Sequence, residues 1–285
     1  MRNKIHRIEA NDLTHYVSDS GSEAAPAAIL LHGFPDSSAV WDKVTPLLVD
    51  TGFRIIAPDL RGFGETDMAA RKPDYEINAG AIPDILKIIE VLKIDKAHIV
   101  GHDFGAPVAW SLAAQYPEKF ATLTAMSVGH PRAFLMGGRR QALMSWYILF
   151  HQLRGICEAA YRFNDWMFLR RHWAALSDVE GAIANLSRPG RLTAGLNWYR
   201  ANLSFARMIR QPEWGAYGEE TVRIPTLGLW SDGEKYLAEK QMMASRKFVE
   251  APWRYERIEG ASHWIPADKP EKCAELLIGH WRSVA

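Results

Sequence analysis

The chain has 285 residues, which at roughly 150 residues per domain allows one large domain or two small ones and excludes a long modular array. Apolar residues make up 48% and charged residues 24%, so intrinsic disorder is excluded and a sizeable buried core is expected. Thirty-four basic against 33 acidic side chains give a formal charge of +1, which provides no general attraction for nucleic acid or an anionic membrane. The composition departs from average in its 11 Trp, beside 9 Tyr and 11 Phe.

In chain order, Met1 to Ala10 carries scattered charges where a secretory signal needs an unbroken apolar stretch. Apolar runs such as Ala27 to Leu31 are far shorter than the roughly 20 residues that cross a bilayer. A soluble, cytoplasmic protein is expected. Ile5 to Ile8, Thr14 to Ser18 and Ala27 to Leu31 read as strands, the last followed at once by the turn-rich His32-Gly33-Phe34-Pro35. Trp41 to Val49 has helical spacing, and Phe53 to Ala57 is a further strand. Ala81 to Leu92 places Ile82, Ile85, Ile88, Ile89 and Leu92 at helical intervals. Ala97 to Val100 and Ala106 to Gln115 then read as strand and helix. This alternation predicts a mostly parallel sheet with helices on both faces.

From about Pro131 the pattern changes to long helical stretches, Gln141 to Cys157 and Glu158 to Ala175. Five of the 11 Trp fall in this region: Trp146, Trp166, Trp173, Trp198 and Trp214. The alternation resumes with strands at Thr226 to Trp230 and Arg254 to Ile258 and a closing helix at Glu271 to Trp281. The expected organisation is a sheet-based core over 1–130 and 216–285, split by a helical cap over 131–215. Cys157 and Cys273 lie far apart with no metal-ligand neighbours at short spacing, so free thiols are expected and no metal site.

Gly101-His102-Asp103-Phe104-Gly105 stands between a strand and a helix, the context of a Gly-x-Ser-x-Gly nucleophile elbow with aspartate in the serine position. The glycines remove side chains that would block so sharp a turn. An aspartate there also suits a helix N-cap. Two further loops after strands bear on the choice: Trp230-Ser231-Asp232-Gly233-Glu234 offers two acids, and Gly260-Ala261-Ser262-His263-Trp264 offers a histidine. Nucleophile, acid and histidine in this order is the order of the α/β-hydrolase class.

On these residues the chain resembles the α/β-hydrolase family and, within it, the soluble epoxide hydrolases. His32-Gly33-Phe34-Pro35 resembles the family's oxyanion motif, and Pro58-Asp59-Leu60-Arg61-Gly62-Phe63-Gly64-Glu65-Thr66-Asp67 its loop after the next strand. Leu196-Asn197-Trp198-Tyr199-Arg200, and Trp146-Tyr147 with downstream Gln152 and Glu158, resemble the segments that carry the two ring-opening tyrosines. The resemblance implies a mostly parallel eight-stranded sheet flanked by helices, and conversion of an epoxide and water to a vicinal diol through an aspartyl ester. Asp103 would be the nucleophile, His263 the base, and Glu234 the acid that orients it, with Asp232 as the alternative. Tyr147 and Tyr199 would protonate the epoxide oxygen, and the backbone N–H groups of Phe34 and Phe104 would form the oxyanion hole.

No cofactor or metal is implied, and the expected partners are water and a small, neutral, hydrophobic epoxide, with no nucleic acid and no membrane. A homodimer is left open. Halide release from a haloalkane by the same aspartate and histidine is the alternative reaction. Phe104 and Phe34 lack the side-chain N–H donors a leaving halide needs, and no arginine follows Asp103 to hold a fluoroacetate carboxylate. A non-catalytic ligand-binding member of the fold is the second alternative.

Overall fold

The computed structural model describes residues 3–173, 178–204 and 221–284. Eight strands form one sheet: β1 (Asn3–Ala10), β2 (Leu13–Ser20), β3 (Ala27–Leu31), β4 (Arg54–Pro58), β5 (Ala97–His102), β6 (Phe120–Met126), β7 (Thr226–Ser231) and β8 (Trp253–Ile258). Their spatial order is β1-β2-β4-β3-β5-β6-β7-β8. β1 and β2 pair antiparallel, as do β2 and β4, and every other pair is parallel. Every residue of β3, β4 and β5 is buried, as parallel strands covered on both faces require.

Helices α1 (Thr45–Asp50), α2 (Ile82–Val91) and α3 (Gly105–Gln115) connect the first half of the sheet. α2 buries Ile82, Ile85, Ile88 and Ile89, the face its spacing predicts. Between β6 and β7 lie α4 (Pro131–Phe134), α5 (Gly138–Met144), α6 (Trp146–His151), α7 (Ile156–His172), α8 (Val179–Ser187) and α9 (Arg191–Asn202). After β7 come α10 (Glu239–Ala244), α11 (Ile265–Asp268) and the closing α12 (Pro270–Arg282), which buries Cys273, Leu276, Leu277 and Trp281.

Four elements differ from the sequence reading. The helix expected over Trp41 to Val49 is a 3₁₀ turn at Ser38–Trp41 followed by α1. β6 was not anticipated, because Thr122 and Thr124 interrupt its apolar run; both are buried, and Thr122 Oγ1 lies 2.9 Å from His98 Nδ1. The stretch expected as one helix over Gln141 to Cys157 breaks at Ser145 and again between His151 and Ile156. Within α7, Phe163 to Trp166 leave helical geometry, three of the four at positive φ. Trp214 and the 215 end of the expected helical insertion lie outside the described residues.

The strand order reverses between β4-β3 and β5, so the crevice at the carboxyl ends of β3 and β5 is the topological switch point where α/β sheets bind ligands. Two tight loops meet there. A Cβ at Gly105 would collide with the backbone carbonyl of Leu31, and one at Gly33 with the side chain of Asp103. We expect Gly105→Ala to force the β5–α3 turn away from β3 at a cost of about 2–4 kcal/mol, read as a lower urea midpoint with an unchanged m-value.

Candidate active site

Asp103 occupies the turn between β5 and α3 with φ at +50°, a left-handed conformation uncommon outside glycine. The turn aims its carboxylate over the sheet's carboxyl edge. The Phe34 N–H, on the loop after β3, donates to Asp103 Oδ1 at 2.8 Å. The Phe104 amide follows Asp103 directly at the start of α3. His32 is not in this cluster. Its Nδ1 lies 2.9 Å from the Gly33 carbonyl and its Nε2 accepts from Leu60 N–H at 2.9 Å, binding the β3 and β4 loops together.

His263, on the loop after β8, stands between two carboxylates. Its Nε2 is 3.5 Å from Asp103 Oδ2, and its Nδ1 donates to Glu234 Oε2 at 2.6 Å. Burial works against a charged imidazole here, but the Glu234 charge, the Asp103 hydrogen bond and the Glu234 hydrogen bond outweigh it and raise His263 to about 10. Burial pushes Asp103 up, and the His263 hydrogen bond and charge overcome it, leaving Asp103 below its ordinary value. The two acids on the loop after β7 are thereby separated: Glu234 faces His263, whereas Asp232 Oδ1 accepts from Gly260 N–H at 2.9 Å.

Several residues that fix this loop were not singled out in the sequence. The His263 carbonyl lies 2.9 Å from His102 Nε2 and accepts from Ser127 Oγ at 3.2 Å; the Ser262 carbonyl accepts from Ser231 Oγ at 2.6 Å. Burial, with the His263 charge, drives His102 down to about 3, so it is neutral. Trp264 Nε1–H donates to Asp36 Oδ2 at 2.7 Å, and burial raises that carboxyl to about 7. His102 lies inside the elbow motif and Ser231 inside the acidic loop after β7, which offers a sequence signal for each; Ser127 and Asp36 offer none.

Tyr147 on α6 and Tyr199 on α9 face the same cavity as Asp103, with ring centroids 5.9 Å apart. Neither hydroxyl is hydrogen-bonded to another described residue. Burial, followed by the Asp103 charge, raises both well above the ordinary phenol value, so both remain protonated donors. Among the described residues, no group of three or more His, Cys, Asp or Glu is arranged to hold a metal ion.

Tyr199 is followed by Arg200, which ties the tyrosine helices together. Arg200 Nε–H donates to the His151 carbonyl at the end of α6, and its Nη atoms donate to both oxygens of Glu158 at 2.7 and 3.0 Å. Glu158 also accepts from Gly155 N–H at 2.8 Å. α8 and α9 are anchored below by Trp198 Nε1–H to the Arg61 carbonyl at 3.1 Å and by Arg188 to Glu65 at 2.8 Å. No described helix is long and apolar enough to cross a membrane.

A family model described as the alpha/beta hydrolase fold matches residues 26–270, and the chain belongs to that family. Among its relatives, the AB hydrolase superfamily protein YfhM of Bacillus subtilis is 32% identical over 98% of each chain. Epoxide hydrolase 3 of Xenopus tropicalis is 30% identical over 92% of this chain and 73% of its own. The crystal structure of epoxide hydrolase A from Mycobacterium thermoresistibile superposes with a TM-score of 0.82 at 24% identity, covering 100% of this chain and 99% of that one, a likeness of fold.

The Arg200–Glu158 pair makes a stability prediction. Burial opposes the Glu158 charge, but the Arg200 hydrogen bond outweighs it and lowers Glu158 from 4.5 to about 2. A carboxylate depressed in the folded state stabilises it above the unfolded value, and that contribution is lost as pH falls from 4.5 toward about 2. Glu158→Gln leaves Arg200 buried without its countercharge and should cost about 3–5 kcal/mol in urea unfolding at neutral pH. The gap to the unaltered protein should narrow in acid.

Proposed function

We propose that the protein is an epoxide hydrolase that converts an epoxide and water to a vicinal diol through an ester on Asp103. The observation that carries this reading is the convergence of one carboxylate and two free, protonated tyrosine hydroxyls on a single cavity. The epoxide hydrolase names borne by relatives along most of the chain's length support it. In this reading the described helices between Pro131 and Asn202 act as a cap that brings the tyrosines to the nucleophile.

Asp103 attacks one ring carbon, the C–O bond opens, and the departing oxygen takes a proton from Tyr147 or Tyr199. A serine in that turn would suit acyl transfer; a carboxylate suits displacement at saturated carbon. The phenolate so formed takes the proton of His263, the freed imidazole takes a proton from water, and the resulting hydroxide adds to the ester carbonyl. Glu234 holds the imidazole by Nδ1 so that Nε2 faces the water. The Phe34 N–H already binds the oxygen that becomes the tetrahedral oxyanion, and losing such a donor typically costs about 3 kcal/mol. Collapse passes the added hydroxyl's proton to the departing alkoxide, frees the diol and restores the Asp103 carboxylate, with His263 protonated as at the start.

Halide release finds less support. The indole N–H groups of Trp173, Trp198 and Trp264 donate to Tyr161, Arg61 and Asp36, so none of the three is free for a leaving halide.

Three experiments test the reading. Asp103→Ala should abolish diol formation from a panel of aryl and aliphatic epoxides, while a matching halide panel releases no halide; turnover by the variant would overturn the nucleophile. His263→Gln should still alkylate, so intact mass measurement after incubation with excess epoxide should find one adduct on Asp103. Glu234→Gln should slow turnover more than Asp232→Asn, and the reverse order would exchange their roles.

The pH dependence follows from the charge balance. With Asp103 ionised, His263 holds its proton up to about pH 10. Ester formation removes the Asp103 charge, one of the groups that raise the histidine. We expect the hydrolysis step, followed by tryptophan fluorescence in a single turnover, to accelerate with rising pH and level off with a midpoint below 10. A rate that falls with pH would remove His263 as the base.

A further inference from the structure

One cavity is lined by Asp103, Tyr147 and Tyr199 together. Its described lining beyond the reacting groups is apolar, including Val128, Pro131, Phe134, Leu203 and Leu237. Asn202 also lines it, but its Oδ1 accepts from Ile77 N–H and its Nδ2 donates to the carbonyls of Tyr75 and Trp198. Among the described lining side chains, the polar groups turned to the cavity are therefore Asp103, held by Phe34 N–H and His263, and the two tyrosine hydroxyls.

Aromatic rings that do not line this cavity pack against the reacting groups. Trp173 and Tyr236 stack with centroids 4.7 Å apart, and each lies 5.8 Å from Tyr147. Tyr236 is edge-on to His263 at 5.4 Å, and Phe34 spans from Trp173 to Tyr199 at 6.0 and 5.5 Å. Two hydrogen bonds latch the stack: Trp173 Nε1–H to Tyr161 Oη at 3.1 Å, and Tyr236 O–H to the His172 carbonyl at 2.6 Å. Beyond it lies an outward-facing groove between α5, α7 and the loop at Lys235. Tyr147 borders both hollows, whereas Trp173 and Tyr236 border the groove alone. The stack is the partition between them.

We propose that this partition makes the site one-armed, so that it selects terminal epoxides bearing one apolar substituent over internal epoxides substituted on both ring carbons. The inference rests on the epoxide reading above and names its substrate class. With the ring oxygen held by the tyrosines and Asp103 attacking from the opposite side, the two ring carbons of a trans epoxide send their substituents in opposite directions. A hydrogen fits against Trp173 and Tyr236; an alkyl group meets two latched rings. The open arm offers a substituent apolar contact and no uncommitted side-chain partner beyond the reacting groups.

The terminal and the central trans epoxides of straight-chain hexene are isomers with equal apolar surface to bury, which makes them a direct probe. The unaltered protein should show a kcat/KM for the terminal isomer higher by about tenfold or more. Trp173→Ala, which opens the cavity to the groove, should narrow that ratio by about tenfold. Trp173→Leu should move it the same way, and serves if the alanine variant does not fold. Because the readout is a ratio, a general loss of activity from disturbing Tyr147 cancels. Equal kcat/KM for the two isomers in the unaltered protein, or a ratio unchanged in a folded variant, overturns the one-armed site and leaves the epoxide reading standing. Diol from neither isomer, nor from the wider epoxide panel, overturns that reading and the inference with it.

Discussion

The site depends on a single turn. Asp103 sits at φ +50° between a buried strand and a buried helix, a conformation that costs a non-glycine residue about 1–3 kcal/mol and persists only where the surroundings over-determine it. Here the surroundings are backbone. Gly33, Gly101 and Gly105 let three stretches of main chain approach where a Cβ on any of them would collide, and the Phe34 N–H captures the carboxylate the turn presents. The sheet pays for the strain through complete burial of β3 and β5, which cannot shift without disturbing the core.

A carboxylate displayed in that way must be balanced electrically, and His263 supplies the balance. It shares its two ring nitrogens between Asp103 and Glu234, so one positive charge lies between two negative ones in a buried cluster. In the proposed reaction, alkylation would neutralise one carboxylate, remove its pull on the imidazolium proton and so move the histidine toward the free-base form that the second step needs. On that reading the charge of Asp103 keeps His263 protonated until the ester exists. The loop carrying the histidine is fixed through its own carbonyls, by His102, Ser127 and Ser231, which leaves the ring free to serve both neighbours.

How much of this was legible in the sequence varies with the range of the interaction. The sheet could be read because β3, β4 and β5 are short, largely apolar runs ended by Gly or Pro turns, whereas β6 escaped because its buried positions include threonines. Asp103 and His263 could be read because each follows a strand in the order the fold class requires. Glu234 rather than Asp232 meets His263 because the loop after β7 turns back on itself at Gly233, whose N–H donates to the Ala261 carbonyl; two residues of spacing do not reveal that. The partition of Trp173 and Tyr236 was not legible, since their stacking joins α7's end to a loop some 60 residues on, and aromatic enrichment alone does not say which rings face a ligand.

That partition also explains how specificity and chemistry are coupled in this site. Tyr236 N–H donates to Glu234 Oε1 at 2.8 Å, so one half of the partition belongs to the hydrogen-bonded loop that holds the carboxylate against His263. A change at Tyr236 alters pocket shape and imidazole orientation together. Trp173 contributes the other half from the end of α7 and donates its hydrogen bond to Tyr161, away from His263 and Glu234. The two rings therefore differ in what substitution disturbs: the pocket can be reshaped through Trp173 while the charge balance around His263 is kept, and it cannot through Tyr236.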